Sequence, residues 1–256
     1  MFVAQFATAS ISFASLVALA LCVWLIYTAD HLLDAYKLQK KVANTVRHRY
    51  HQTRFKAIAI AWIVVAILSI GVLFFLSHRL IYYGILLTGG VLVYFILNKY
   101  TAVVGWLPKE FMTALLYTIG VFLPALAVSD ASMHWNLGVL SAQYFFLALG
   151  NLLLFSWFEV ETDQQDGHES FARRTGRPFT QRIVWLCLAA VIGSSAFMLL
   201  AVTSSLTSWA VQSTVFLMGA VLLLISLRPA YFRVQARYRW LGDGIFLLPV
   251  VPLILL

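Results

Sequence analysis

Long apolar runs separated by short polar connections make up almost the whole chain. Most runs are about 20 residues long, the length at which an α-helix crosses the hydrocarbon layer of a membrane. The pattern predicts eight such helices. The last contains Pro249 and Pro252, so we expect it to be irregular and barely long enough to span. The predicted helices cover residues 10–35, 57–76, 80–97, 111–128, 137–159, 183–202, 209–227 and 245–256.

Composition places these helices in a membrane. The 256 residues are 62% hydrophobic and 11% charged, with a mean hydropathy of +0.87. A water-soluble domain of this size does not need so much apolar surface, so we predict one all-α domain over residues 1–256, a polytopic membrane helical bundle. Cys22 and Cys187 lie inside apolar runs, where small buried side chains are expected rather than a disulfide.

Basic residues are confined to alternate connections between the predicted helices. Of the 18 lysines and arginines, 17 lie in the first, third, fifth and seventh connections or at the helix ends beside them, and only Arg79 does not. The positive-inside rule makes these four connections cytoplasmic and puts both termini outside, in a cell (inner) membrane. This topology explains the isoelectric point near 9.7 without nucleic-acid binding.

Two predicted helices end in paired carboxylates. Asp30 and Asp34 close the first helix, and Glu159 and Asp163 close the fifth, with Asp166 one turn further on. A spacing of four residues places each pair on one helix face. Both helices run towards the cytoplasm, so the two pairs should meet there. Carboxylates beside a bilayer are costly and are therefore functional candidates; the alternative is that they are solvated helix ends.

Facing carboxylate pairs predict an all-oxygen site for Mg²⁺, a cation whose coordination is usually completed by water and substrate phosphates. Glu161 lies on another face of the same helix and is expected to face solvent. The basic connections nearby suit phosphate oxygens and the charge of a departing diphosphate. Together with a membrane interior, these features predict a substrate with a diphosphate head and a hydrocarbon tail.

The acidic segments resemble the two motifs of the UbiA superfamily of intramembrane prenyltransferases, which lie at the cytoplasmic ends of two helices four helices apart. Asp30 to Asp34 (DHLLD) resembles the last part of the first motif, NDxxDxxxD. Glu159 to Ser170 (EVETDQQDGHES) resembles the second, DxxxDxxxGKxT, with Glu for Asp, His for Lys and Ser for Thr. The segment after the third predicted helix resembles a further family element through Lys99, Tyr100, Thr101 and Pro108.

The resemblance implies a UbiA-like membrane prenyltransferase. Such an enzyme moves an isoprenoid chain from a prenyl diphosphate to a lipophilic, usually aromatic, acceptor with the help of Mg²⁺. The expected metal ligands are Asp30, Asp34, Glu159, Asp163 and Asp166, of which the first four are also the expected catalytic residues; Lys99, Arg47 and Lys37 are expected to bind the diphosphate.

The chain also departs from the family pattern. Ile26 and Tyr27 stand where the first motif begins with Asn-Asp, and Phe155 and Ser156 stand at the matching start of the second. The helix that precedes the first motif in the family has no counterpart, so we expect lipid, a second copy or a partner subunit to cover the apolar flank of the first helix. Two alternatives follow: transfer to a non-aromatic acceptor, or a catalytically weakened relative that binds isoprenoid or quinone lipids or serves as a membrane assembly subunit.

Overall fold

Helices form nearly all of the described part of the molecule. The computed structural model describes residues 3, 11–37, 50, 52–99, 108–128, 135–167, 169–203 and 205–255. Within these residues the long helices are α1 (Phe13–Lys37), α2 (Phe55–Leu73), α3 (His78–Lys99), α4 (Lys109–Val128), α5 (Trp135–Asp166), α7 (Arg177–Phe197) and α8 (Leu206–Leu227). The short helices are α6 (Phe171–Thr175), α9 (Pro229–Arg233), α10 (Arg237–Gly244) and α11 (Val250–Leu255), and helical turns cover Met198–Val202, Val234–Ala236 and Ile245–Leu247.

Six of the described helices are long and apolar enough to cross a membrane. The candidate spans are Phe13–Leu33, Phe55–Leu73, Lys109–Ala127, Trp135–Gln165, Arg177–Val202 and Leu206–Leu227. This agrees with a multi-pass helical membrane protein, whereas the predicted number of eight spans is not confirmed. Helix α3 is not among the six, although its 22 residues correspond to a length of about 33 Å.

The C-terminal part differs most from the prediction. Residues 245–256 do not form one helix, because a 3₁₀ turn and a two-residue turn precede the six-residue helix α11. Pro249 and Pro252 lack the N–H groups that a continuous helix needs, which is the physical reason for the break. The segment before it, which the sequence assigned to a loop, instead folds into α9 and α10.

Helix α5 extends seven residues beyond the predicted end at Glu159. It continues to Asp166, and Gly167 follows with a φ of 75°, a conformation that ends a helix readily at glycine. No Gly or Pro lies between Gly150 and Gly167 to stop it earlier. The acidic residues of the second motif therefore lie on a helix rather than in a loop.

Helix α6 anchors the connection that follows. The Phe171 N–H donates to Glu110 Oε1 at 2.8 Å, and the Ala172 N–H donates to Ser156 Oγ at 2.9 Å. These bonds use N–H groups that the first turn of a helix leaves unpaired, and they tie α6 to α4 and α5. Helix α7 then begins at Arg177, six residues before its predicted start at Ile183, with Pro at its second position.

Helix α5 supplies most of the core. It packs against α4, α7 and α8, and its Leu140, Leu147 and Leu154 recur every seven residues with 2% exposure or less. Helix α8 adds Val215 and Leu222, both fully buried. The acidic residues at the end of α5 therefore lie on the helix that contributes most to the core.

Helices α1 and α2 form a more peripheral pair. They pack along each other, and the Trp62 Nε1–H of α2 donates to the Leu25 carbonyl of α1 at 2.8 Å. Buried side chains on the described part of α1 follow a narrow stripe that includes Thr28, His31 and Ala35, and α2 has none. Many of the other apolar side chains of the pair are exposed, as expected of helices that contact lipid or another helix.

Candidate functional site

Both predicted carboxylate pairs lie on helices. Asp30 and Asp34 are in the last two turns of α1, and Glu159 and Asp163 are near the end of α5. The spacing of four residues therefore puts the members of each pair one turn apart on one helix face. Asp166, the last residue of α5, continues that face for another turn.

The meeting of the Asp30/Asp34 pair with the Glu159/Asp163 pair stays a prediction. Helix α1 packs against α2 and, less extensively, α4, whereas α5 packs against α4, α6, α7, α8 and α10. Helix α4 contacts both acidic helices. Among the described residues, no group of three His, Cys, Asp or Glu residues lies close enough to hold a metal ion.

Glu159 is the best-defined acidic residue of the candidate site. Its Oε1 accepts from Arg239 Nε and its Oε2 from Arg239 Nη2, so the guanidinium binds both carboxylate oxygens. Tyr238 donates its hydroxyl to Glu159 Oε1 at 2.8 Å. The Glu159 and Arg239 side chains are 17% and 24% exposed, so water screens this ion pair only partly.

Aromatic rings surround this ion pair. The Phe158 and Tyr238 rings stack at 4.2 Å with an angle of 6° between their planes, and the Arg239 guanidinium lies 5.2 Å from the Phe155 ring. Burial raises the pKa of the Tyr238 phenol, and the charge of Glu159 adds to the shift, so the phenol remains a donor at neutral pH. Burial opposes the charge on Arg239, but its hydrogen bonds to Glu159 outweigh that effect and raise the pKa of the guanidinium.

Helix α10 approaches α5 closely because it carries a glycine. A Cβ on Gly242 would lie 2.5 Å from Asn151 Oδ1 and 2.7 Å from the Phe155 ring, so any side chain there would require these two side chains to move. Asn151, Phe155 and Glu159 are four residues apart on α5 and form the face that α10 covers.

The backbone before α10 is strained. Gln235 and Ala236 both have φ of 53°, in the left-handed region that residues with a Cβ rarely adopt. Each such residue costs about 1 kcal/mol or more relative to the right-handed region. The docking of α10 on α5 has to offset this cost.

The other acidic residues differ in their surroundings. Asp30 and Asp163 are partly buried, and each interacts with its surroundings. Glu161 is exposed, as predicted, and pairs with Arg177. Arg177 also donates through Nε to the Trp157 carbonyl at 3.3 Å, so Glu161 helps to join α5 to the start of α7.

The predicted diphosphate ligands are only partly described. Lys37 and Lys99 are the last residues of α1 and α3, and Arg47 lies outside the described residues. Their role in binding diphosphate stays a prediction.

Sequence reasoning missed Tyr238, Arg239 and Gly242. It counted Arg239 only as a basic residue that sets topology and assigned Tyr238 to a loop. Nothing in the local spacing links Arg239 to Glu159, which lies 80 residues earlier. The available signal is that Gly242 and Gly244 follow Arg239 in the connection between the last two predicted helices.

Two apolar cavities flank the α4–α5 pair. The wide cavity, about 630 Å³, lies between α3, α4 and α5, with Tyr83, Phe122 and Phe145 in its lining. The narrow cavity, about 170 Å³, lies on the side of α1 and the C-terminal segment. Its lining includes Leu16, Leu19, Tyr117, Val121, Tyr144 and Phe246.

The narrow cavity lies along α1 and α5 on the N-terminal side of their acidic residues. Leu19 precedes Asp30 by about 16 Å of helix and Tyr144 precedes Glu159 by about 22 Å, at 1.5 Å per residue. The Phe122 ring lines the wide cavity, and its edge-to-face contact with Tyr144, at 5.6 Å between ring centres, separates the two cavities.

No family model matches the chain, and comparisons with curated proteins and with solved structures also find no match. The function is therefore argued from the residues and their geometry.

Proposed function

We propose that the protein is a UbiA-type intramembrane prenyltransferase that moves an isoprenoid chain from a prenyl diphosphate to a lipophilic acceptor with Mg²⁺. The observation that carries this proposal is the extension of α5. The helix continues as far as Asp166. For this reason Glu159, Asp163 and Asp166 share one face at the end of the most buried helix. Asp30 and Asp34 have the matching position at the end of α1.

The donor chemistry fits a hard divalent cation, since carboxylate oxygens are the ligands that Mg²⁺ prefers. Asp30, Asp34, Glu159 and Asp163 would hold the ion, with Asp166 as a further ligand. When bound, Mg²⁺ would neutralise the negative charge of the diphosphate. Glu159 now gives both oxygens to Arg239, so its full participation requires that contact to loosen.

The remaining steps belong to the protein's own residues. Lys37, Arg47 and Lys99 would hold the diphosphate as its bond to the first carbon of the chain breaks. The apolar interior would keep water from the allylic cation until the acceptor forms the new bond and releases a proton. A tail that starts at the acids and extends about 20 Å along the helices would reach the narrow cavity.

Binding and turnover of labelled prenyl diphosphates test this proposal. Purified protein in lipid nanodiscs should release diphosphate from a prenyl diphosphate in the presence of Mg²⁺ and an aromatic acceptor. Mg²⁺ with the prenyl diphosphate should also raise thermal stability by mass action. Asp30→Asn and Asp163→Asn should each abolish both effects, whereas Glu161→Gln should abolish neither.

Failure of every prenyl diphosphate to stabilise the protein or to release diphosphate would overturn the enzyme proposal. A second candidate, a protein that binds isoprenoid or quinone lipid or assembles with another membrane protein, is favoured by one specific observation: an arginine of the same chain already neutralises Glu159. Under that proposal, native mass spectrometry should find a co-purified lipid or partner, while labelled diphosphates remain unconverted.

A further inference from the structure

Helix α10 packs against the acidic end of α5 and also against α8. Arg239 binds both Glu159 oxygens, Tyr238 adds a hydroxyl and a stacked ring, and Gly242 allows close approach to Asn151. The outer side of α10 has little cover, since Trp240 is 80% exposed among the described residues. The ion pair of Arg239 with Glu159 is a polar contact that joins this segment to α5.

We propose that α10 is a lid over the face of α5 formed by Asn151, Phe155 and Glu159, and that Arg239 is the internal cation which holds it closed. When a divalent cation binds with a diphosphate, the lid would open by an exchange of partners: the Glu159 carboxylate would hold the metal, and the Arg239 guanidinium would bind phosphate oxygens. The identity of this ligand rests on the proposed function, whereas the lid rests on the contacts alone.

The exchange leaves no charge unpaired. A partly buried carboxylate that loses its arginine is strongly disfavoured unless another cation replaces it. The freed guanidinium has a planar, bidentate geometry that fits phosphate as well as carboxylate. Arg239 is thus a substrate-binding residue as well as the residue that closes the lid.

The strained turn before α10 provides the hinge. Gln235 and Ala236 hold left-handed φ values while the lid is docked, and they can relax to ordinary values when it is released. Strain at this position lowers the free energy needed to open the lid, because the strained turn offsets part of the docking free energy. Movement of a short helix about one or two backbone positions is a common mode of closure over a ligand.

Opening would uncover a polar atom that the lid now hides. Asn151 is 4% exposed, and its Oδ1 has no hydrogen-bond partner among the described residues. It lies eight residues from Glu159 on the same helix face, about 12 Å deeper in the bundle. A buried amide oxygen without a hydrogen-bond partner at this position is a recognition group for the part of the ligand that follows its head.

Thiol labelling at Asn151 tests the lid. The full chain carries Cys22→Ser, which removes the exposed native cysteine, and Asn151→Cys; native Cys187, 5% exposed and located on α7, remains as an internal control. In nanodiscs, Arg239→Gln should raise the rate at which N-ethylmaleimide modifies residue 151 by about tenfold or more. Arg237→Gln, which removes an arginine that lies over Tyr231 instead, should leave the rate unchanged.

A second pair of variants opens the lid without touching the ion pair. Gly242→Ala should raise the labelling rate, because its methyl group would overlap the Phe155 ring. Gly244→Ala should not, since nothing lies within 4 Å of a Cβ at that position. This pair decides the question if Arg239→Gln also raises the labelling of Cys187, which would indicate a general loosening of the bundle.

The ligand is tested separately on protein that keeps Arg239. Mg²⁺ with inorganic diphosphate should raise the labelling of residue 151, and neither component alone should do so. Equal rates in the parent, Arg239→Gln and Gly242→Ala proteins would overturn the lid, whatever the protein binds. If the variants open the lid but Mg²⁺ and diphosphate neither open it nor raise thermal stability, the partner exchange is overturned, together with the ligand of the proposed function, while the lid stands.

Discussion

Two glutamates two residues apart on α5 form ion pairs of very different character. Glu159 and its partner Arg239 are 17% and 24% exposed, whereas Glu161 and Arg177 are 52% and 34% exposed. Solvent screens an exposed pair and leaves it little net stabilisation. Loss of one partner of a buried pair leaves an uncompensated charge, which is far more costly.

Removal of each carboxylate should therefore have unequal effects on stability. We expect Glu159→Ala to lower the free energy of unfolding by up to about 3 kcal/mol, because Arg239 remains partly buried and unpaired. Glu161→Ala should lower it by about 1 kcal/mol or less. Unfolding of both variants in mild detergent, followed by circular dichroism, measures the difference. Equal losses would show that burial does not separate the two pairs.

A second residue-scale feature lies in the core, where amides and hydroxyls from three helices meet. Gln143 of α5 donates through Nε2 to Gln212 Oε1 of α8 at 3.0 Å and to Ser194 and Ser195 of α7 at 3.2 and 3.3 Å. Gln143 and Gln212 are 2% and 0% exposed. Within a membrane protein such contacts join helices that have no hydrophobic preference for each other over lipid.

We expect Gln143→Leu to destabilise the protein by about 1–2 kcal/mol, since it leaves the Gln212 amide without its partner in an apolar core. Gln212→Leu should cost a similar amount. The double variant should cost clearly less than the sum, because no orphaned amide then remains. Additive losses in this double-mutant cycle would mean that the two amides do not interact in the folded protein.

At the scale of elements, glycine sets how closely α7 and α8 pack. A Cβ on Gly219 of α8 would lie 3.0 Å from Ile192 Cγ1 and 3.2 Å from Val191 Cγ1 of α7. Gly193, one position further on α7, has nothing within 4 Å of its Cβ direction. Small residues at such contacts let the helix backbones approach.

This contrast predicts opposite effects of the same substitution. Gly219→Ala should lower the free energy of unfolding by about 1–3 kcal/mol, because the packed neighbours have to move. Gly193→Ala should leave it unchanged or raise it by up to about 1 kcal/mol through helix propensity. Thermal unfolding of the two variants in the same detergent tests both expectations. A loss of stability in Gly193→Ala as large as that in Gly219→Ala would contradict the packing argument.

The elements that the sequence predicts well are those that a single local property determines. Each of the first seven apolar runs lies mostly in a long helix, because run length and apolarity specify helices in a membrane. Helix ends are less predictable, since polarity alone does not end a helix. Helix α5 continues without a break through its polar C-terminal turns and ends only where Gly167 adopts a positive φ.

The candidate site likewise has one part that could be predicted from the sequence and one part that could not. The spacing of Asp30 and Asp34 and of Glu159 and Asp163 could be read from the sequence, because it depends only on a helical repeat. The contact of Glu159 with Arg239 could not, because it depends on how the broken C-terminal segment folds back onto α5. That fold includes the strained turn at Gln235 and Ala236 and the close approach of Gly242 to the Asn151 side chain.

On the scale of the whole molecule, burial is distributed unequally. The α5 span has 61% of its most apolar stretch buried, whereas the α1 and α2 spans have 11% and none. Large exposed side chains on α1 include Trp24, Ile26 and Tyr27. Such a surface agrees with the predicted cover by lipid, a second copy or a partner subunit, which stays a prediction.

The position of α3 decides how the two acidic helix ends relate to the membrane. If α3 crosses, α1 and α5 run in the same direction and both carboxylate pairs reach the cytoplasmic side. If α3 does not cross, α5 runs in the opposite direction to α1, and the pairs lie on opposite sides of the membrane. Its 22 residues are long enough to cross, and His78, Arg79, Asn98 and Lys99 are confined to its ends.

Reporter fusions along the chain distinguish these two arrangements. With the termini outside, as the distribution of 17 of 18 basic residues predicts, a reporter after Ser77 should lie outside in either case and serves as the control. If α3 crosses, as we expect, reporters after Val128 and Thr203 should also lie outside, and one after Thr175 should lie inside. If α3 does not cross, each of these three signals is reversed while the signal at Ser77 is unchanged. A cytoplasmic signal at Val128 would therefore separate Asp30 and Asp34 from Glu159 and Asp163 by the full thickness of the bilayer, and no single metal site could contain both pairs.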